Sequence, residues 1–175
     1  WKSIVYNKKS NSFLAVFSNQ QYKLKGGELI FTLAFRMKDC TFEIAGLDMP
    51  KSLKNIPENI NFLGYLTKDK LKEKYSEHEF YLQLSSFEGF GLSLCEAMLG
   101  QCIPIGSSVN MIPEIIGENG YILDNKNAFE LEKILIYAKM KANKKEMALK
   151  AQESIINRFS LEKRSDELLY TLEQL

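Results

Sequence analysis

The stretch Glu79 to Ile105 reads EFYLQLSSFEGFGLSLCEAMLGQCIPI. EFYLQL (Glu79–Leu84) is short, apolar and rich in aromatic and aliphatic residues, which predicts a buried strand. Gly89 and Gly91 interrupt the chain, Gly91 to Leu99 predicts a buried helix, and Ile103 to Ile105 predicts a short strand. Strand, glycine-bearing loop, helix and strand in that order build a parallel sheet, because parallel neighbours need a crossover between them.

The same alternation runs outward in both directions. FLAVF (Phe13–Phe17), TFEIA (Thr41–Ala45), Ile60–Leu63 and Tyr121–Leu123 predict further strands. Glu28–Lys38 has helical spacing after Gly26 and Gly27, Thr67–Tyr75 predicts a polar helix, and Pro113 suits the first turn of a small one. From Asn127 onward the pattern is helical, with breaks at Ala142-Asn143 and Phe159-Ser160 and Ser160 as a good N-cap for the last helix. The fold expected is α/β: one doubly wound, Rossmann-like domain over residues 1–175, with about six parallel strands and helices on both faces.

Bulk properties narrow the function classes. The 175 residues are 45% hydrophobic and 26% charged with net charge +1, which is ordinary globular composition and gives no reason to expect nucleic acid as a partner. Residues 1–27 hold Lys2, Lys8, Lys9, Lys23 and Lys25 and no acid, which reads first as a solvated edge. Cys40, Cys95 and Cys102 lie in apolar surroundings without CxxC spacing and read as buried reduced thiols of a cytoplasmic protein. No apolar run approaches bilayer length, and the start at Trp1 suggests a segment of a longer protein. His78 is the single histidine, so a histidine-based zinc site or a Ser-His-Asp triad has almost no material. A phosphate loop of the GxxxxGK type is absent, and Leu94 stands where a dinucleotide fingerprint needs its third glycine.

Glu96 is the residue that asks for an explanation, because a charge inside an apolar run is costly unless something meets it. Its loop lies at the carboxyl end of a strand, where open α/β sheets bind ligands. Gly89 and Gly91 let the backbone approach a ligand and take strained dihedrals, and the free N–H groups opening the next helix favour an anion. Ser93, Glu96 and Gly100 fall on one stripe of that helix. Glu96 sits roughly 7–8 Å along the axis from Gly91, about the separation of a diphosphate from the ribose hydroxyls of a nucleotide. A carboxylate accepting from a vicinal diol would be satisfied there, and Glu88 would face what lies beyond the phosphates. The plain alternatives are a structural carboxylate at Glu96 and an ordinary loop acid at Glu88.

EGFGLSLCEAM (Glu88–Met98) resembles the E-x7-E signature of retaining GT-B glycosyltransferases, specifically glycosyltransferase family 4. Lys25-Gly26, FEIAG (Phe42–Gly46), INFLGYL (Ile60–Leu66) and IPEIIGENGYIL (Ile112–Leu123) are similar to further segments of that family, in the same order. The resemblance covers the carboxyl-terminal half of such enzymes and implies a nucleotide-sugar-binding domain whose acceptor-binding half lies outside this chain. It implies that Glu88 bonds hydroxyls of the donor sugar and Glu96 the ribose diol. Backbone N–H groups of the segment Gly89, Phe90, Gly91, Leu92 and Ser93 would hold the sugar and diphosphate. Lys25 would neutralise the diphosphate as it leaves, and Gly64 and Tyr65 would border the base. It implies no bound metal or other cofactor, and a glycan or lipid-linked saccharide as acceptor. The family usually has an arginine at the position of Asn19, with Lys23 nearby as a substitute charge, and a glycine pair at Asn110-Met111. The other reading is a non-catalytic nucleotide-binding or interaction domain of the same ancestry. The lysines of the last helices, Lys139, Lys141, Lys144 and Lys145, form a solvated face or touch an anionic membrane surface at the cytoplasmic side.

Overall fold

The computed structural model describes residues 6–49 and 55–159. Among these described residues six strands are joined by helices: β1 (Lys9–Val16), α1 (Gly27–Arg36), β2 (Thr41–Ala45), β3 (Ile60–Phe62), α2 (Lys68–Glu77), β4 (His78–Gln83), α3 (Leu92–Leu99), β5 (Ile103–Ser107), α4 (Ile112–Ile116), β6 (Tyr121–Leu123), α5 (Ala128–Met140) and α6 (Lys144–Arg158). The sheet order is β3-β2-β1-β4-β5-β6 and each neighbouring pair is parallel. This is the doubly wound, Rossmann-like α/β arrangement expected. The helix expected after Ser160 lies outside the described residues.

Strand boundaries depart from the sequence reading where polar residues belong to the sheet. β1 begins at Lys9, because Ser12 and Glu79 bridge it to β4: Ser12 Oγ accepts from the Glu79 N–H at 3.0 Å, and Glu79 Oε2 accepts from the Asn11 N–H at 3.0 Å. β5 runs on to Ser107, whose hydroxyl donates to the Ser85 carbonyl at 2.6 Å. A short 3-10 turn at Asn19–Gln21, not foreseen, follows β1.

The core forms two layers. Phe42, Phe13 and Phe80 stand in register on β2, β1 and β4 and stack at 5.2 and 4.9 Å between ring centres. With Ile30 and Leu33 of α1 and Leu131 and Leu135 of α5 they make one layer. Tyr81 of β4, Tyr75 of α2, Leu94 and Met98 of α3 and Ile115 of α4 make the other. Cys40, Cys95 and Cys102 are buried and free.

The lysine-rich start is only partly the solvated edge expected. Lys8 donates to the carbonyls of Tyr75 at 2.8 Å and Gly100 at 2.6 Å, closing the carboxyl ends of two helices. Burial pushes its ammonium pKa down. His78 opens β4 fully buried, with Nδ1 2.8 Å from the Lys74 carbonyl and Nε2 3.3 Å from Glu43 Oε2.

Candidate functional site

Because every strand pair is parallel, all the connections that follow strands gather at one edge of the sheet. The chain leaves β1 toward β2 on one side and leaves β4 toward β5 on the other. The two connections therefore diverge and open a crevice, the ligand position of doubly wound sheets. Residues 17–26 come from the first connection and residues 84–91 from the second. The Ser86 N–H donates to the Leu24 carbonyl at 2.8 Å, so the walls are tied at their base. Lys126, after β6, reinforces the tie by donating to Ser86 Oγ at 2.7 Å and the Leu24 carbonyl at 3.4 Å.

Lys25, Gln83, Glu88, Phe90, Gly91, Leu92 and Ser93 line a cavity of about 230 Å³ in this crevice. A wider hollow of about 680 Å³ lies at the opposite edge, beside Phe35, Thr41 and Asn59. It adjoins residues that precede strands, away from the switch in strand order, and its charged lining is Lys38 and Glu58.

Two glycines set the crevice walls. Gly26 has φ +76° and a Cβ there would lie 2.7 Å from Leu84, so the backbone before α1 rests directly on the end of β4. Gly91 has φ +87° and is the N-cap of α3, a left-handed position that favours glycine. Among the described residues no side chain caps that helix, and no acid lies in its first turn. The Leu92 and Ser93 N–H groups have no acceptor within the helix, and both residues line the cavity. Gly89 differs from its expectation: its φ is not in the left-handed region and a Cβ there would meet nothing within 4 Å.

Glu88 is the centre of a donor cluster. Its Oε2 accepts from Lys25 Nζ, from Gln83 Nε2 and from Ser85 Oγ, the last at 3.0 Å. Its backbone N–H donates to Asn110 Oδ1 at 3.1 Å. Oε1 has no hydrogen-bond partner among the described residues. Burial by itself pushes the Glu88 carboxyl pKa up, but the Lys25 ammonium and the Ser85 and Gln83 donors outweigh it and hold the carboxyl below its usual range. Glu88 is thus an ionised carboxylate with one oxygen saturated.

Glu96 corrects a premise of the sequence reading, since its side chain is exposed and pays no burial cost. The stripe it shares with Ser93 and Gly100 lies along Tyr75. A Cβ at Gly100 would sit 2.5 Å from Tyr75 Cβ, and the Tyr75 hydroxyl donates to Glu96 Oε2 at 3.3 Å. Gly64 (φ +61°) and Tyr65, 89% exposed, follow β3 at the same sheet edge. Two strand spacings, about 10 Å, separate β3 from β1. Asn19 and Lys23 are exposed on the β1–α1 connection, without a side-chain ion pair among the described residues. Gln83 and Ser85 were missed by the sequence reading. Their signal was a polar row, Tyr81-Gln83-Ser85, at the period-2 positions of an apolar strand. Asn110 takes the left-handed conformation, φ +48°, that stands in for glycine.

The family model for glycosyl transferases group 1 matches residues 2–158. The chain belongs to this family. Its sequence is 29% identical over 113 residues to a poly(ribitol-phosphate) α-N-acetylglucosaminyltransferase of Staphylococcus aureus, covering 62% of this chain and 22% of the relative. The group 1 fold is matched at a TM-score of 0.80 by Anabaena Alr3699/HepE in complex with UDP, with 18% identity over 95% of this chain and 49% of that one. It is also matched at 0.69 by the C-terminal domain of a glycosyl transferase group 1 family protein of Francisella tularensis, with 19% identity over 89% and 88% of the two chains. The group 1 domain described here spans about a fifth of the length of the curated relatives it matches. Among the described residues no helix is long and apolar enough to cross a membrane.

Proposed function

We propose that this group 1 domain binds the nucleotide-diphosphate sugar of a retaining, family 4 glycosyltransferase of the E-x7-E type. It acts with an acceptor-binding half outside this chain, on a glycan or lipid-linked saccharide. The observation that carries the reading is the Glu88 cluster beside the uncapped start of α3. Three donors occupy one carboxylate oxygen and leave the other to accept from a sugar hydroxyl, while Lys25 and the first residues of α3, Leu92 and Ser93, line the same cavity. Preorganised donors and a cation aimed at a departing diphosphate stabilise charge as it develops. In this reading Glu96, exposed one and a half turns into α3, accepts from the ribose diol, and Gly64 and Tyr65 border the base. The scheme uses no metal, and three free thiols agree with a cytoplasmic site of action. Of the four lysines read as a solvated or membrane-facing surface, Lys139 is paired with Asp39 and Lys144 with Glu79 at 2.8 Å, both lysines largely buried, so only Lys141 and Lys145 remain for water or an anionic membrane face.

The cavity is smaller than most small-molecule sites, about 300–1,000 Å³, as expected of one wall of a cleft. Isothermal titration calorimetry with UDP tests the reading, since solved neighbours carry that nucleotide. Glu96→Ala is expected to weaken UDP binding at least tenfold with the circular dichroism spectrum unchanged, the usual scale for hydrogen bonds to a charged group. Unaltered affinity would remove Glu96 from the ribose role. A non-catalytic nucleotide-binding role is the second reading, favoured by Asn19 with no charge to offer a diphosphate. Sugar transfer or donor hydrolysis by the full-length protein with a panel of nucleotide sugars separates the two.

A further inference from the structure

Along β4 and its extension to Ser85, Tyr81, Gln83 and Ser85 occupy one face, while Phe80, Leu82 and Leu84 fill the other. Tyr81 is fully buried, Ser85 likewise, and Gln83 is 3% exposed. A strand buried on both faces is ordinarily apolar throughout, so a polar row there needs a purpose beyond packing. The row ends at Glu88.

The direction of each hydrogen bond along this row is dictated by chemistry. An ionised carboxylate only accepts, so the Gln83 group facing Glu88 must be its NH2. Gln83 Oε1 then faces the Tyr81 hydroxyl, which must donate, and it does so at 3.0 Å. Burial, reinforced by the charge of Glu88, pushes the Tyr81 hydroxyl pKa far up, so that donor keeps its proton. Gln83 Nε2 lies 3.1 Å from Ser85 Oγ, and Ser85 Oγ donates onward to Glu88.

We propose that Gln83 is a positioning residue: its amide, oriented by the Tyr81 hydroxyl, anchors Glu88 through Oε2 so that Oε1 is the oxygen presented to ligand. The role of Glu88 toward a sugar rests on the reading under Proposed function, whereas the coupling of Gln83 to Glu88 is a property of the protein alone. Lys25 cannot do this work by itself. Its ammonium rotates on a four-carbon stem and neutralises without fixing orientation, and a bound diphosphate competes for it. The Gln83 amide has no such competitor. Without Tyr81 the amide is free to turn and aim its carbonyl at the carboxylate.

The test reads the Glu88 carboxyl directly, by ¹³C NMR titration of the side-chain carbonyl in the labelled chain. The titratable groups that face Glu88 are Lys25 from the β1–α1 connection and Tyr81 from β4. Gln83→Leu removes one donor at nearly constant volume and is expected to raise the Glu88 midpoint by about one pH unit. Gln83→Glu sets a second carboxyl beside it, and the pair is expected to titrate in two steps, the upper above wild type. Tyr81→Phe, which preserves the carbon skeleton, is expected to raise the midpoint less than Gln83→Leu does, and it serves where Gln83→Leu does not fold. A Glu88 midpoint unmoved in folded Gln83→Leu, or in Tyr81→Phe, overturns the inference and leaves Gln83 as packing. UDP calorimetry on the wild-type chain is scored separately: absent binding there sinks the nucleotide reading, while the midpoint shifts still decide the role of Gln83.

Discussion

Lys25 and Glu88 are separated by 63 positions and each side chain is about 12% exposed, so their ion pair differs from a surface contact that salt and water cancel. Removing one partner leaves the other charge poorly solvated, which is why breaking such pairs costs more than making them gains. Lys25→Met is therefore expected to lower stability by about 1–2 kcal/mol at neutral pH, because Gln83 and Ser85 still serve the carboxylate. The sign of its pH dependence follows from the depressed Glu88 pKa. A carboxyl held below its unfolded value stabilises the fold above that value and loses this contribution as pH falls. Lys25→Met takes away the main cause of the depression, so the gap between variant and wild type should shrink in acid. Urea denaturation at pH 7 and pH 4 measures it, and an equal gap at both would mean that the loss does not come from the ionised Glu88 carboxylate.

Elements place these residues through backbone close to other backbone. Gly26 and Gly91 both have positive φ, which costs a non-glycine residue about 1–2 kcal/mol. They differ in their surroundings. At Gly91 the added Cβ would be 3.5 Å from Ile115 Cδ1, an ordinary contact, so Gly91→Ala bears the conformational cost alone. At Gly26 the added Cβ would be 2.7 Å from both the Cβ and the carbonyl oxygen of Leu84, so α1 must also lift off β4. Gly26→Ala is expected to lower the melting temperature more than Gly91→Ala, by differential scanning calorimetry, and the reverse order would contradict the close approach described. Such contacts explain what the sequence could disclose. Gly26-Gly27 and Gly91 announced helix starts, and the strand–helix alternation announced the sheet, because periodicity and turn chemistry are local. Gln83 was hidden because its use depends on Tyr81 two residues back and Glu88 five ahead meeting on one face. The exposure of Glu96 was hidden for a similar reason: its apolar neighbours pack against α4, α6 and the sheet, while its carboxylate, met by the Tyr75 hydroxyl of α2, stays on the solvent side.

At the scale of the molecule, the two edges of the sheet have divided roles. The carboxyl edge carries Lys25, Glu88 and the start of α3, with one carboxylate oxygen left free. The amino edge carries charges that are spent on each other. There Glu43 of β2 meets Lys74 of α2 at 2.8 Å and His78 of β4 at 3.3 Å, joining elements from both halves of the sheet order. His78 first and Lys74 with it, against the opposing effect of burial, hold the Glu43 carboxyl at about 2 instead of 4.5. Because the folded value is the lower one, the stabilisation is complete above about pH 4.5 and is lost as pH falls toward about 2. With the burial cost of a carboxylate 12% exposed set against its two partners, the net contribution is on the order of 1–2 kcal/mol. Glu43→Gln keeps the volume and removes the titration. It should be less stable than wild type at pH 7 and converge with it between pH 4.5 and pH 2, followed by urea midpoints across that range. UDP binding, where wild type has it, should be unchanged in Glu43→Gln at neutral pH, because the Glu43 carboxylate is spent on Lys74 and His78, neither of which lines the cavity. A parallel loss of UDP affinity would show that charge at the amino edge reaches the crevice through β4.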